Sequence, residues 1–515
     1  MAPKRVRRTP AELPGQQILW DIAAAADVLD ACGAKRSHAR PLLRVLSAKF
    51  VEGAGRLIWE GLGTPPTGGC GDEGKLSKAP ETVRWQDLGV VEDLLSASGL
   101  PQRSSAALLA AVSPVGIRPV GQRVSADGST TKLILELRDG HRVETVIMRH
   151  EGRTTVCVSS QVGCQMGCTF CATGTMPIVG DLDAAEIVEQ VLHAHAIEVA
   201  AGRPPVRNAV FMGMGEPLNN WRAVSSALQT LTDNACLGKY SLPPSRVTVS
   251  TVGVVPRMLQ LAEEFPAVNL ALSLHAPTQE LREQIVPSAK QTPLSDLLSA
   301  LDAHAASRRH SPGATATMVE YVLLAGVNDC EACALELARL MAPRAEEVMV
   351  NLIPFNPGSS TEAIFSAPSH PVVERFQQLV AACGVTVRVR REMGQDIAGA
   401  CGQLALASKE GSANGVAAPA ADVEDFVAWR RRQPKEDKAA RNVEYAATVA
   451  AAATASAGKA DGGNSSQVPS VPVAWVGAPE ARRVLALTAG VALLSAVLVA
   501  NRARQRWRGA LGVPS

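Results

Sequence analysis

Residues 154–171 read TTVCVSSQVGCQMGCTFC. An apolar run of strand character (154–160) leads into a loop with Gly163 and Gly167 and with cysteines at 164, 168 and 171. The C-x3-C-x2-C spacing gathers three thiols in one loop, and the glycines let that loop fold around a ligand. Thiolates at this density bind zinc or an iron–sulfur cluster. A structural zinc site needs a fourth ligand, and no neighbouring His supplies one. Three thiolates on a four-iron cluster leave one iron open to a further ligand.

Downstream of this loop the chain alternates. Strand-like runs at 208–213, 246–251, 268–274, 316–324, 347–353 and 385–390 are separated by helical patterns at 183–199, 222–232, 256–264, 293–306, 329–342 and 370–382. Six strand–helix units in series predict an α/β fold with a parallel sheet, open or closed into a partial barrel. A full barrel needs eight units, and the sequence does not provide them. Upstream, KLILELRDGHRVETVIM (132–148) places two apolar runs around Asp139–Gly140, a hairpin signal. We therefore read 116–153 as a small β extension of a core at 154–407. Residues 1–112 show helical periodicity and form an N-terminal helical domain, interrupted by a Gly/Pro-rich loop at 61–82. Residues 408–480 are Ala/Gly/Ser-rich and read as a disordered linker.

The chain has 515 residues, 51 Lys+Arg and 49 Asp+Glu. A net charge of +2 excludes a histone-like polycation, and 46% hydrophobic residues exclude wholesale disorder. The first fifty residues nevertheless carry nine Lys/Arg against four Asp/Glu, a patch that could attract phosphates. Arg388, Arg390 and Arg391 form a second basic cluster, though a solvated charged face is the blander reading of either. Eleven cysteines are too sparse for a disulfide scaffold, and no secretory signal is visible, so a reducing compartment is expected. Residues 484–500 (VLALTAGVALLSAVLVA) are 17 uncharged residues with Arg on both sides, at the lower limit for a bilayer span. A membrane anchor and an amphipathic or partner-binding helix both remain open for this segment.

The cysteine loop resembles that of the radical S-adenosylmethionine superfamily, and further motifs narrow the match. They are CVSSQVG at 157–163, FMGMGEPLN at 211–219, STVG at 250–253, SLHAP at 273–277, Glu320-Tyr321, NLIPFNP at 351–357 and GQDIAGACGQL at 394–404. Together these resemble the RlmN/Cfr family of RNA adenine methyltransferases over about 116–405, with wording at 391–397 closest to plant and algal members. The resemblance implies a radical SAM partial (β/α)6 barrel. It also implies a 4Fe-4S cluster on Cys164, Cys168 and Cys171. It assigns S-adenosyl-L-methionine to Gly215, Glu216, Ser250, Ser273, Leu274, His275 and Asn356. Gly213 and Gly215 would let backbone approach that ligand, and Glu216 would accept from its ammonium group. Taken singly, the 211–219 stretch could be a turn and His275 a satisfied core histidine.

By the same resemblance Cys401 is the S-methylcysteine intermediate, Cys157 the resolving cysteine and Glu144 the proton acceptor. An exposed strand carboxylate is the bland alternative for Glu144. Two S-adenosylmethionine molecules are used: one methylates Cys401, and the second yields a 5′-deoxyadenosyl radical that activates the S-methyl group. The methylene adds to the adenine, and Cys157 attacks Cys401 to release the product. An aromatic C–H carbon is not nucleophilic, which is why radical chemistry is needed. The expected activity is methylation at C2 of an adenosine in rRNA and/or tRNA. The expected partners are that RNA and an electron donor such as flavodoxin or ferredoxin, in the cytoplasm or inside a chloroplast or mitochondrion. A Cfr-like C8 methyltransferase is the nearest alternative, and a membrane-tethered RNA-binding scaffold with a degenerate core is a second. Cys330 and Cys333 form a C-x2-C that begins a predicted helix and matches no motif of the family; we read it as incidental.

Overall fold

The computed structural model describes residues 17–405, apart from 54–84, 91–94, 96–98, 114, 310–315, 358–360 and 362–363. The loop at 61–82, the linker at 408–480 and the apolar segment at 484–500 lie outside the described residues. Among those described, no helix is long and apolar enough to cross a membrane.

In chain order the strands are β1 (Gln17–Ile18), β2 (Val112–Ser113), β3 (Arg118–Val124), β4 (Thr130–Glu136), β5 (Arg142–His150), β6 (Arg153–Cys157), β7 (Gln161–Val162), β8 (Gly180–Asp181), β9 (Asn208–Phe211), β10 (Val247–Thr251), β11 (Asn269–Ser273), β12 (Thr317–Leu323), β13 (Val348–Pro354) and β14 (Thr386–Val389). The helices are α1 (Ile22–Ala31), α2 (Ala39–Lys49), α3 (Gln102–Ala111), α4 (Ala184–Ala200), α5 (Trp221–Thr232), α6 (Asn234–Leu237), α7 (Val255–Glu264), α8 (Gln279–Ile285), α9 (Leu294–Arg308), α10 (Glu331–Met341) and α11 (His370–Ala381).

One ten-stranded sheet organises the molecule, in the order β14-β13-β12-β11-β10-β9-β6-β5-β4-β3. From β6 to β14 every pairing is parallel, with a helix between successive strands, as the alternating runs predict. β3, β4 and β5 add antiparallel pairs at one end, so the β extension continues the core sheet and is no separate layer. The β4–β5 hairpin turns at Asp139–Gly140, where Gly140 takes φ +81°, with Glu136 opposite Arg142. The β3–β4 hairpin, turning at 125–129, was not among the predicted elements. Among the described residues the sheet is open, since β14 pairs with β13 alone.

α4 packs beside β6, and its polar residues are buried because they bind backbone. Asp183 and Glu186 form a capping box that fixes its start. Glu189 accepts from Gly116 N and Ile117 N (2.9 and 3.1 Å), and Gln190 accepts from Ser159 N (2.8 Å). The N-terminal helices share the main hydrophobic cluster: Trp20, Leu29, Leu42, Leu46 and Phe50 are fully buried in it. At about 1.5–3 kcal/mol for each such side chain, they are held firmly against the core.

Candidate functional site

The expected site residues converge at the C-terminal ends of the parallel strands, the end where such sheets keep their ligands. β6 ends at Cys157 and leads through β7 into the three-cysteine loop. That loop has no room for larger residues. Gly163 sits at φ +80°, and a Cβ there would lie 2.1 Å from Pro177 O. Cys168 is buried, with Cys164 and Cys171 half-buried beside it. Burial pushes the Cys164 thiol up to about 12 and raises Cys168 and Cys171; the negative charge of neighbouring thiols adds to all three. Three such sulfurs need compensating positive charge to be thiolates together. Among the described residues no three His, Cys, Asp or Glu side chains converge closely enough for a single metal ion. Three thiols in one loop are a donor set that suits an iron–sulfur group, whose iron would supply that compensating charge.

The next three strand ends, of β9, β10 and β11, carry Glu216, Ser250 and Ser273. Glu216 is 3% exposed and accepts from Leu218 N and Val252 N, each at 3.0 Å. Burial raises its carboxyl to about 7 against those two donors; an ammonium group in contact would favour the ionised form. The glycines before it serve the protein itself. A Cβ on Gly215 would sit 2.5 Å from Gln161 Cβ, and one on Gly213 would sit 2.6 Å from Val158 O. They let the 211–216 turn press against the lead into the cysteine loop, a role that the expectation of open backbone did not include. Ser250 and Ser273 are neighbours on β10 and β11, with hydroxyls 3.3 Å apart.

His275 holds φ +62°, uncommon outside glycine, at the turn after β11. Val322 N donates to its Nδ1 at 3.1 Å, so the hydrogen sits on Nε2. Burial, with Arg282 adding to it, lowers its pKa to about 3, so the ring is neutral. Phe170, from the cysteine loop, meets the ring edge-on at 4.9 Å between centroids. Leu274 is fully buried, its N–H donating to Glu320 O (3.0 Å) and its carbonyl accepting from Arg282.

Cys157 and Cys401 line one cavity of about 240 Å³, with Glu320, Asn351, Asn356 and Arg390 also in its wall. Cys401 lies in the loop after β14, and three ties hold that loop over the cysteines. Ala172 N donates to Gly402 O (2.7 Å), Thr173 Oγ1 to Leu404 O (2.6 Å), and Asn356 Nδ2 to Cys401 O (3.2 Å). Both thiols are free in the structure. Burial pushes Cys157 up to about 12, Cys401 adds to the shift and Arg390 opposes it.

Glu144 is not an exposed strand carboxylate. It is 2% exposed, with Lys132 Nζ at 3.0 Å, and Lys132 also donates to Ala398 O at 3.1 Å. Burial raises its pKa while the Lys132 charge pulls it down. On β5 it shares a face with Val146 and Met148, which line the cavity, but Glu144 itself lies outside that lining.

Comparison with known proteins bears directly on this arrangement. The profile of the Radical SAM superfamily matches residues 158–337. A probable dual-specificity RNA methyltransferase RlmN of Frankia alni is 44% identical over 314 residues, covering 59% of this chain and 72% of that protein. The chain belongs to the RlmN family. A probable dual-specificity RNA methyltransferase RlmN of Moorella thermoacetica is 40% identical over 349 residues, 65% of this chain and 94% of its own length. A crystal structure of a radical SAM methyltransferase from Sphaerobacter thermophilus superposes with TM-score 0.60 at 34% identity, over 75% of this chain and 99% of that one. This chain is thus a radical SAM enzyme of the RlmN family, with the α/β sheet expected for it.

Within this RlmN-family site, sequence reasoning missed three residues. Lys132, which the sequence analysis did not single out, is buried against Glu144. Arg282, fully buried on α8, donates to Leu274 O at 3.1 Å and also to Val252 O, which fixes the turns after β10 and β11. Gln395 donates to Asn356 Oδ1 at 2.6 Å. The 279–285 helix was not among the predicted elements, so nothing drew attention to its arginine.

Proposed function

We propose that this chain methylates C2 of an adenosine in RNA, with Cys401 as methyl carrier and Cys157 as resolving thiol. The observation that carries the reading is the placement of these two thiols in one cavity, beside the three-cysteine loop. The relatives' names add RNA as the substrate class.

Cys164, Cys168 and Cys171 would hold a 4Fe-4S cluster, and Glu216, Ser250, Ser273, Leu274, His275 and Asn356 with Gly215 would hold S-adenosylmethionine. Bound there, the pair would supply both a methyl group and a 5′-deoxyadenosyl radical. The residues of the chain do the rest. Cys401 sulfur accepts the methyl group and presents it to the base. Neutral His275 offers an Nε2–H donor without adding charge. Glu216 offers a carboxylate to an ammonium group. Cys157, as thiolate, attacks Cys401 sulfur; the S–CH2 bond breaks with its electron pair going to the methylene carbon, which takes a proton to become the methyl group, and the disulfide left in the chain is reduced by two electrons before the next turnover. The Arg390 side chain favours that thiolate. Glu144 would take the C2 proton as a carboxylate, which the Lys132 ammonium at 3.0 Å favours, while burial raises its affinity for that proton. The target base must leave its stack to reach the cavity. An electron donor such as flavodoxin or ferredoxin completes the cycle.

The test is a product assay. The full chain is reconstituted anaerobically with iron and sulfide, then given reductant, S-adenosylmethionine and unmodified rRNA or tRNA. Nucleosides are read by mass spectrometry. 2-Methyladenosine, absent from Cys401→Ala, is the expected result. 8-Methyladenosine would overturn the C2 assignment, and a folded chain that binds no cluster would overturn the enzyme mechanism.

A further inference from the structure

Cys330 and Cys333 lie outside the methyl-transfer cavity, and the structure gives them a specific geometry. Cys330 is the N-cap of α10, and its Sγ accepts from Cys333 N at 3.4 Å. Burial, reinforced by the neighbouring Cys330 thiol and the charge of Asp329, raises the Cys333 thiol to about 12. Cys330 is exposed and Cys333 half-buried. One thiol therefore faces solvent while the other waits behind it as a neutral S–H. N-cap and N3 side chains approach each other, the geometry that a capping box exploits, so an S–S bond needs little movement of the helix.

The segment before the pair is tied to the strand ends of the site. Asn328 Nδ2 donates to His275 O (2.8 Å) and to Val322 O (2.7 Å), and Asn328 Oδ1 accepts from Leu324 N (2.7 Å). Tyr321 OH donates to Asn328 O at 2.9 Å, and Gly326 N to Asp329 Oδ1 at 2.9 Å. This turn presents Cys330 from a braced scaffold rather than from a loose loop. An exposed thiol at the first turn of a strand–helix unit, with a shielded thiol three residues on, is the arrangement of a thiol–disulfide exchange site.

We propose that Cys330 and Cys333 form a reversible redox dithiol, which exchanges with a disulfide-bearing partner and is separate from the Cys157–Cys401 pair. Cys330 attacks the partner disulfide as thiolate, forming a mixed disulfide and releasing one partner thiol. Cys333 then loses its proton and attacks Cys330 sulfur, releasing the second partner thiol. Two electrons and two protons pass from this chain to the partner, and the reverse exchange restores the dithiol. The inference goes beyond methyl transfer and does not depend on it.

Trypsin releases residues 310–339 as one peptide, which contains Cys330 and Cys333 and no other cysteine. The cluster-loaded full chain is equilibrated anaerobically in glutathione buffers of graded poise, alkylated and digested. The expected product is a peptide two hydrogens lighter and closed to alkylation. Its disulfide-to-dithiol ratio should change a hundredfold over about 60 mV, the slope of a two-electron couple. In Cys333→Ser the same peptide should instead carry a single glutathione on Cys330; Cys330→Ser, which keeps a capping oxygen, should carry none. A peptide that stays dithiol across the glutathione range overturns the proposal, and so does one that takes glutathione on both sulfurs without an internal bond.

Discussion

The Asn356 side chain spans two loops: its amide donates to the backbone carbonyl of Cys401 at 3.2 Å, and its carbonyl accepts from Gln395 at 2.6 Å. One 5%-exposed residue at the end of β13 thus fixes both the proposed methyl carrier and the turn before it. Asn356→Ala removes both bonds and leaves Cys401 O without this donor. A buried polar group left unpaired costs roughly 1–3 kcal/mol. Unfolding in denaturant should show a loss of that order, and single-turnover methylation of Cys401 should slow more than tenfold. An unchanged rate of Cys401 methylation would remove Asn356 from any role in positioning the thiol.

The Lys132–Glu144 pair is buried on both sides. Lys132→Met strands the Glu144 carboxyl and frees Ala398 O, three residues before Cys401. Breaking one side of a buried pair costs about 3–5 kcal/mol, whereas replacing both by apolar side chains costs much less. Lys132→Met should therefore be strongly destabilised, and Lys132→Met/Glu144→Leu should recover most of the loss in chemical denaturation. If the double variant still loses C2 methylation, Glu144 has a chemical role besides its structural one.

As the proposed resolving thiol, Cys157 would give product release a pH dependence. With its thiol pushed up to about 12, only a small thiolate fraction is present at neutral pH, and that fraction grows tenfold per unit. In a single turnover started from methylated Cys401, release of product should rise about tenfold per pH unit between pH 7 and 9. Arg390→Gln removes the opposing cation, so release should slow at every pH while the slope persists. A flat profile would mean that another step limits release.

His275 supplies a stability test with a definite sign. Its folded pKa is about 3, against 6.5 when unfolded, so between those values the unfolded chain binds the extra proton. Its contribution is whole above pH 6.5 and falls as pH drops toward 3, by up to ~1.4 kcal/mol per unit. His275→Asn should lose stability less steeply with acid than the unsubstituted chain over this window. Parallel acid profiles would show that the ring is protonated in the folded state.

Gly163 tests the cysteine loop without touching a thiol. Alanine at φ +80°, with its Cβ 2.1 Å from Pro177 O, must push the loop apart. Iron and sulfide content after reconstitution should fall well below that of the unsubstituted protein, while far-UV circular dichroism stays the same.

Much of this was legible in the chain. The six predicted helices match α4, α5, α7, α9, α10 and α11 to within a few residues, because each has a long apolar stripe at helical spacing. Most strand runs were equally clear, because β6, β9, β10, β12 and β13 are largely buried. What failed to show was whatever depends on a distant cover. Alternation along β5 says which face Glu144 shares, but the burial of that face comes partly from residues 398–405, far along the chain. Lys132 and Arg282 are charged residues with nothing local to mark them as buried. α8 is seven residues long, too short for a periodic signal. Cys330 and Cys333 looked incidental because spacing alone does not reveal a cap.

Thr173 Oγ1 and Leu404 O are joined across 231 residues. During synthesis the three-cysteine loop leaves the ribosome long before the segment that covers it exists. At about 5–20 residues per second, that gap lasts roughly ten seconds or more. For that interval Cys164, Cys168 and Cys171 have no roof over them, so the proposed cluster would have a loading window that closes when Gly402 and Leu404 dock. Truncation between residues 172 and 400 would yield a chain with Cys164, Cys168 and Cys171 but without Cys401, the proposed methyl carrier.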